Sequence, residues 1–237
     1  IDLLSYNTYY NAIYVNMVGN EMFLDSAQVR NNVVARAKML GYTPTSARGS
    51  SATLNLTVTP STNLTSVTVA SNTLFTSTID GIQYKFTTRQ PYVLLQSTGY
   101  TSNTISIKEG EPISQRFTVN TNNDGQRFVL GNPNIDTTTI KIRIQTSSSN
   151  TSLRTFTEAS NLVDVSANSN VYFIQENENG KYELLFGDGV LGTALDNGNI
   201  VIADYNVVNG SITNGANNFV SPSTIGGQAS FTVSVAN

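Results

Sequence analysis

The stretch YELLFGDGVLGTALDNGNIVIADY, residues 182–205, decides how the chain is read. Gly187, Gly189 and Gly192 spell G-x-G-x-x-G directly after an apolar run, the pattern of a dinucleotide-binding turn. That chemistry needs a strand before the glycines and a helix after them, whose N-terminus faces the pyrophosphate. The strand is there. After Gly192 come only TALD and the Asn197-Gly198 pair, then NIVIADYNV, which reads as another strand. So short a link with an Asn-Gly turn leaves no room for the phosphate-binding helix, and nucleotide binding is set aside. The glycines are expected to bend the backbone where two antiparallel strands meet. Gly187 and Gly189 admit positive φ, and Asp188 accepts hydrogen bonds from nearby backbone N–H groups. Leu184, Phe186, Leu191 and Leu195 are the expected anchors. Phe186, Gly187, Asp188, Gly189, Gly192, Asn197 and Gly198 are thus assigned to a structural loop.

Outward from this loop the chain alternates with period two. ATLNLTVT (52–59) places Leu54, Leu56 and Val58 on one face and Thr53, Asn55, Thr57 and Thr59 on the other. TSVTVAS, IQYKFTT, NTISIKE, QRFTVN, TIKIRIQ and ASFTVSV repeat the pattern, which is that of half-buried antiparallel strands. Threonine suits their outer face because it is β-branched yet wettable. Asp80-Gly81, Asp124-Gly125 and Asn179-Gly180 are hairpin candidates; the last, between VYFIQEN and KYELLF, is the clearest type I′ turn. The polar stretch QTSSSNTS (145–152) marks an excursion or a subdomain boundary.

Residues 1–41 carry a different period. Tyr6, Tyr10, Ile13 and Met17 form one helical stripe. Asp25 is the expected N-cap of a second helix, with Gln28 completing a capping box and Val29, Val33, Ala37 and Leu40 lining one face. Gly41 is the expected stop, and Pro44 prevents continuation. The fold class is α+β, mainly β: a helical segment over 1–50, an antiparallel β region over 51–120, and a second β region over 121–237 carrying the glycine loop.

Composition narrows the function. The 237 residues hold 13 basic and 16 acidic side chains, a net charge of −3, with no basic block, so phosphate-neutralising nucleic-acid binding is not expected. There is no Cys, no His and no Trp. Thiolate chemistry, the commonest general base and the commonest metal ligand are therefore missing. No apolar run is long enough to span a membrane. Charged residues are only 12%, while Asn, Ser and Thr make up about a third of the chain. Such sequences belong to surface-hiding assemblies or to extracellular modules. The start at Ile1 and the strand-like end FTVSVAN suggest a piece of a longer chain.

The residue pattern offers three chemical readings. Asp188, Asp196 and Asp204 flank glycine turns, but their spacing fits no Ca²⁺ loop, and solvated turn aspartates explain them. Glu109 with Glu111, or Glu176 with Glu178, could form a hydrolase carboxylate pair; hairpin-end charges are the plainer explanation. Asn-x-Ser/Thr sites at Asn55, Asn63, Asn150 and Asn209 are expected by chance in this composition. No catalytic residue, cofactor or metal is assigned. Tyr6, Tyr9, Tyr10 and Tyr14 crowd one short helix together with Ile13 and Met17. That face is a candidate interface, because Tyr combines large contact area with a hydrogen bond.

Phe186 to Gly192, Asn197-Gly198, Tyr205, Gly210 and Asn214 to Phe219 follow an order that resembles the baseplate J-like family of contractile-tail proteins. The N-terminal stretch YNTYYNAIYVNMVGNEMFLDSAQVRNNVVARAKMLGYTPTSARGSSATLNL is similar to the entry segment of that family's phage wedge branch, in T-even-type contractile-tailed phages. NTLFTSTIDGIQYKFTT also fits its pattern. The resemblance implies a virion structural protein without enzymatic activity. It would be assembled in the bacterial host cytoplasm and located in the tail baseplate. It would self-associate and join neighbouring wedge subunits in a ring around the tail hub that rearranges on sheath contraction. The alternative from composition is an extracellular β-rich carbohydrate-binding or adhesin module, which the lack of Trp disfavours.

Overall fold

A computed structural model describes residues 2–40, 42, 45–97, 100–123, 125–159, 164–177 and 179–236. The chain divides into two compact units. One is Ile1–Thr45 with Glu176–Gly180; the other is Ser46–Gln175 with Lys181–Asn237.

The first unit carries α1 (Asp2–Glu21) and α2 (Arg30–Met39). The second helix starts later than Asp25. Residues 22–26 are turns, and the Val29 carbonyl accepts the first bonds, from Asn32 and Val33 N–H. The capping oxygen comes from the end of α1. Glu21 Oε1 accepts from Gln28 N–H at 2.9 Å and Val29 N–H at 3.2 Å, and Oε2 accepts from Asn32 Nδ2 at 2.7 Å. A carboxylate at a helix start also meets the positive end of the dipole. These bonds, Asn32 first, hold the Glu21 carboxyl below its ordinary range. The buried face is shifted as well: Val34 and Ala37 are buried, while Val29 and Leu40 are exposed. Tyr42 N–H reaches back to the Ala37 carbonyl. The stop expected at Gly41 and the block expected at Pro44 lie outside the described residues. Within this unit Arg30 pairs with Glu176 at 2.8 Å.

The second unit holds two seven-stranded sheets. The first contains β1 (Ser51–Val58), β2 (Ser66–Val69), β3 (Leu74–Ile79), β4 (Ile82–Thr88), β5 (Tyr92–Ser97) and β6 (Tyr100–Glu109). The second contains β7 (Glu111–Thr118), β8 (Phe128–Val129), β9 (Ile135–Gln145), β10 (Leu153–Glu158), β11 (Val171–Glu176), β12 (Tyr182–Phe186) and β13 (Ile200–Val207). The last strand, β14 (Phe231–Val235), returns to the first sheet and pairs antiparallel with β1. The expected alternation is present: Leu54, Leu56 and Val58 are fully buried in the first core. Ile142, Ile144, Leu184, Val201 and Tyr205 fill the second.

Turn chemistry is followed where it is local. Asp80-Gly81 closes the β3–β4 hairpin with φ of 50° and 80°, the two positive values of a type I′ turn. Asn179-Gly180 does not. Gly180 is left-handed, at 70°, and its N–H donates to the Asn177 carbonyl, so the glycine closes a longer loop. Asp124 lies outside the described residues, and the strands flanking it, β7 and β8, pair with β13 and β12 rather than with each other. Residues 145–152 are no boundary; they form the β9–β10 hairpin loop, tied by Thr146 N–H to the Ser152 carbonyl. Among the described strand pairings, β10 with β11 is the parallel one, which the link 159–170 permits because parallel neighbours need a crossover of about a dozen residues.

The second sheet curls until its end strands approach. Gln115 on β7 bridges them: its Nε2 donates to the Val129 carbonyl and its Oε1 accepts from Gly131 N–H. Phe117 and Phe128 meet edge to face at 5.7 Å beside it.

The two sheets are joined through Asp136-Thr137-Thr138-Thr139. Between Asp204 and Asn206 of β13 the register with β9 slips: Asp204 faces Lys141 and Asn206 faces Asp136, so residues 137–140 bulge out of the ladder just after Asp136. Asp136 is fully buried and meets the Lys108 ammonium of β6 at 2.6 Å. The same carboxylate accepts from Thr138 N–H, Thr138 Oγ1 and Gly49 N–H. Thr137 bonds Ser46, and the Thr139 carbonyl accepts from Arg89 at the end of β4. Beside them Glu109, also buried, receives Asn209 N–H and Nδ2. Gly49 and Gly110 fit here because a Cβ on either would strike backbone or side-chain atoms of the joint.

Removing the anion while leaving its cation is costly. Asp136→Ala is expected to lower the unfolding free energy by about 3 kcal/mol in a urea titration. The two carboxyls have opposite pH signs. Desolvation opposes ionisation of Asp136, but Lys108, Thr138 and Gly49 outweigh it and hold it below its ordinary 3.8. Its stabilisation is lost as pH falls through that lowered value. For Glu109, desolvation outweighs the Asn209 bonds, and the Asp136 charge adds to it, so its carboxyl sits above 4.5. That contribution favours the fold at low pH and is lost as pH rises through the raised value. Glu109→Gln is therefore expected to decline less above pH 4.5 than the parent chain; superimposable pH–stability curves would contradict this.

Candidate functional site

The glycine loop begins where β12 ends. Its flanking strands are not neighbours: β12 lies between β11 and β8, and β13 lies between β7 and β9. The loop therefore crosses from one part of the curled sheet to another. No helix starts near Thr193; residues 193–199 are a bridge, a turn and extended chain. The phosphate-binding geometry is missing at the position the motif would need it.

Each loop residue has a structural partner. Asp188 Oδ1 accepts from Val190 and Leu191 N–H, both at 2.9 Å. Those bonds, Leu191 first, hold its carboxyl below the ordinary range. Gly189 N–H donates to the Gly192 carbonyl, and Gly192 N–H and Thr193 N–H donate to Ser166 and Ser169 carbonyls. The expected roles of the glycines change in one respect. Gly189 and Gly192, each at φ 90°, are the left-handed ones. Gly187 is needed for close approach: a Cβ there would collide with the Gly192 carbonyl, and Gly187 bridges Ala194. Leu184 is fully buried, and Phe186 and Leu195 pack on the second core, whereas Leu191 is exposed. Phe186 meets Phe128 and Phe156 edge to face. Asn197 Oδ1 accepts from Thr121 N–H, and Gly198 N–H donates to the Val119 carbonyl, tying the loop to the end of β7.

The carboxylate candidates do not converge. Among the described residues no three acidic side chains come together as a metal-ligand set. Asp188 serves its own loop, and Asp204 pairs with Arg143 at 2.6 Å. Glu109 is buried, while Glu111 is exposed and pairs with Lys85. Glu178 lies outside the described residues.

The N-terminal candidate face is of another kind. No residue of α1 is buried. Tyr6, Tyr10 and Tyr14 follow one another on one face, with ring centroids 4.5 and 6.4 Å apart and a 3.0 Å bond between the Tyr6 and Tyr10 hydroxyls. Tyr9 meets Tyr10 edge to face. Ile13 and Met17 extend the stripe and are 41% and 55% exposed. The helix thus presents an apolar, aromatic face to solvent.

Three of the remaining residues behind the family resemblance, Tyr205, Asn214 and Phe219, bond or pack within the second unit. Tyr205 is buried, and its hydroxyl donates to Asn132 Oδ1 at 2.6 Å. Asn214 and Thr213 bond Ser50 beside the sheet joint. Phe219 packs edge to face on Phe86 of the first core. Sequence reading missed the joint itself, Asp136, Lys108 and the Glu109–Asn209 pair; a buried-charge role leaves no local pattern.

The chain is similar to a phage protein. It is 23% identical to baseplate wedge protein gp6 of Enterobacteria phage T4 over 237 aligned positions. The match covers 92% of this chain and 35% of that protein, so the chain spans about a third of its relative's length. No protein-family model matches the chain, so the likeness rests on the wedge protein rather than on the wider baseplate J-like family.

The two glycine classes predict different penalties. Gly198 has open space around a Cβ and only its φ of 83° to lose, so Gly198→Ala should cost about 1 kcal/mol. Gly187→Ala must displace backbone and should cost at least about 3 kcal/mol. Urea midpoints for the two variants check the order.

Proposed function

We propose that this chain is a structural part of a phage tail baseplate wedge. In this reading it works by protein–protein contact: it self-associates, joins other wedge subunits into a ring around the tail hub, and rearranges when the sheath contracts. It sits in the virion after assembly in the host cytoplasm, acts without a cofactor and carries out no catalysis. The wider baseplate J-like kinship belongs to the same proposal. The observation that carries the reading is the match to the wedge protein along 92% of the chain.

Physical features support it. The glycine loop and the sheet joint use their polar groups on each other, which suits a part whose task is to hold position. The exposed face of α1 suits assembly. Isolated helices are marginal in water and gain most of their stability from packing an apolar face. This one is rich in Tyr, Asn and Val, which are modest helix formers. A second helix laid along Tyr6, Tyr10, Ile13, Tyr14 and Met17, with Tyr9 at the rim, gives it that cover.

Antibodies raised against the chain should label the baseplate end of the tail in electron micrographs of the parent particles; label on another part of the virion, or none, overturns the proposal. The interface is tested separately. Tyr10→Ser, Ile13→Ser and Met17→Ser together should leave the two β cores folded, because neither core includes these side chains. The same variant should reduce the oligomer seen by light scattering to a monomer.

A further inference from the structure

The second unit contains a cleft that the wedge likeness does not explain. It has a volume of about 460 Å³ and opens between the face of β7, β13 and β9 and the Arg89 end of β4. Three of the chain's 13 basic side chains line it: Arg89, Lys141 and Arg143. One acid, Asp204, lines it with them. In sequence these cations are scattered over 55 positions or sit two apart; the fold collects them.

Their partners are mostly neutral. Arg89 donates to Asn206 Oδ1 at 3.1 Å and to the Thr139 carbonyl. Lys141 Nζ donates to the Arg89 carbonyl at 2.9 Å. Arg143 pairs with Asp204 at 2.6 Å, Asp204 also attracts Lys141, and the buried Asp136 attracts Arg89 at longer range. The cleft is therefore left with an excess of positive charge on a chain whose net charge is −3. Burial first, then repulsion from Arg89, lowers the Lys141 ammonium below its ordinary range. Asn206, 1% exposed at the same cleft, holds Arg89 through Oδ1 and leaves its Nδ2 without an acceptor. Opposite charge entering such a site relieves the repulsion and gains charge-assisted hydrogen bonds.

We infer that this cleft binds an acidic peptide segment of a protein partner, one or more Asp or Glu carboxylates entering against Lys141, Arg143 and Arg89. The chain as a whole carries a net charge of −3 and no basic block, which disfavours a polynucleotide as the occupant. Beside the charges the lining holds small polar side chains, Ser71, Ser114 and Thr139, and the apolar Pro112 and Ile113, a mixture that suits a peptide's backbone and side chains. The inference stands apart from the baseplate proposal, since it rests on the cleft alone.

The test is calorimetric titration of the whole chain with the synthetic peptide acetyl-Asp-Glu-Asp-Glu-amide. An acetyl-Asn-Gln-Asn-Gln-amide control and inorganic phosphate are titrated in parallel. The acidic peptide should bind at low salt, and its affinity should fall on moving from about 0.05 to about 0.5 M NaCl. Lys141→Gln, an exposed change, should weaken it about tenfold, and adding Arg143→Gln should abolish it. Thermal unfolding of each variant confirms that it is folded, and the Lys141→Gln result stands alone where the double variant is not. The inference is overturned if the neutral peptide binds equally or if neither acidic peptide nor phosphate binds. It is also overturned if Lys141→Gln binds like the parent. Binding of phosphate without peptide marks a small-anion site and overturns the partner assignment.

Discussion

The arrangement of the two sheets depends on one buried carboxylate. Asp136 would be a liability alone, because an ionised group in a dry interior is strongly disfavoured. It is tolerated because Lys108 arrives from the other sheet at 2.6 Å and backbone and hydroxyl donors occupy the remaining lone pairs. This gives the joint a specificity that apolar contact lacks. Two hydrophobic sheet faces can slide; a charge pair with a full set of donors has one position. The bulge of β9 begins just after Asp136 and presents the threonines that follow it, and Ser46 and Arg89 bond Thr137 and Thr139 within it.

What the sequence made legible was local. The β1 alternation could be read because burial on one face forces a period of two, whatever the partner strand. Asp80-Gly81 could be read because its turn is set by two residues' own φ preferences. The failures share a cause. Asp25 looked like a cap, but the oxygen at the α2 start belongs to Glu21, brought there by the fold of the intervening turns. Asp136-Thr137-Thr138-Thr139 has the composition of an outer strand face, yet these residues bridge the sheets. The return of β14 to β1 and the parallel pairing of β10 with β11 are decided by long-range packing, which no short window contains.

The glycine loop shows the same division. Its residue types read as backbone devices, and no helix follows Gly192. Which glycine did what was not legible. Positive φ at Gly189 and contact at Gly187 are alternatives that the residue type alone leaves open, because glycine serves both needs. The outcome was set by the crossing path of the loop, which presses residue 187 against the carbonyl of residue 192.

The surface then follows from how the charges are used. With 29 charged side chains in 237 residues, the protein has few to spend. Several are committed inside the second unit, at Lys108–Asp136, Arg127–Glu183 and the buried Glu109. α1 is left with Asp2 and Glu21 as its charged residues and with an aromatic stripe between them. A soluble monomer under selection for solubility alone would place charge on that stripe, where a charged residue costs little. Leaving Tyr6, Tyr10, Ile13 and Met17 there makes sense when the stripe is covered, and covering it by another helix also supplies the packing that α1 lacks by itself. Interior polar groups thus fix the shape of the second unit, and the proposed assembly role would account for the apolar face that α1 leaves exposed.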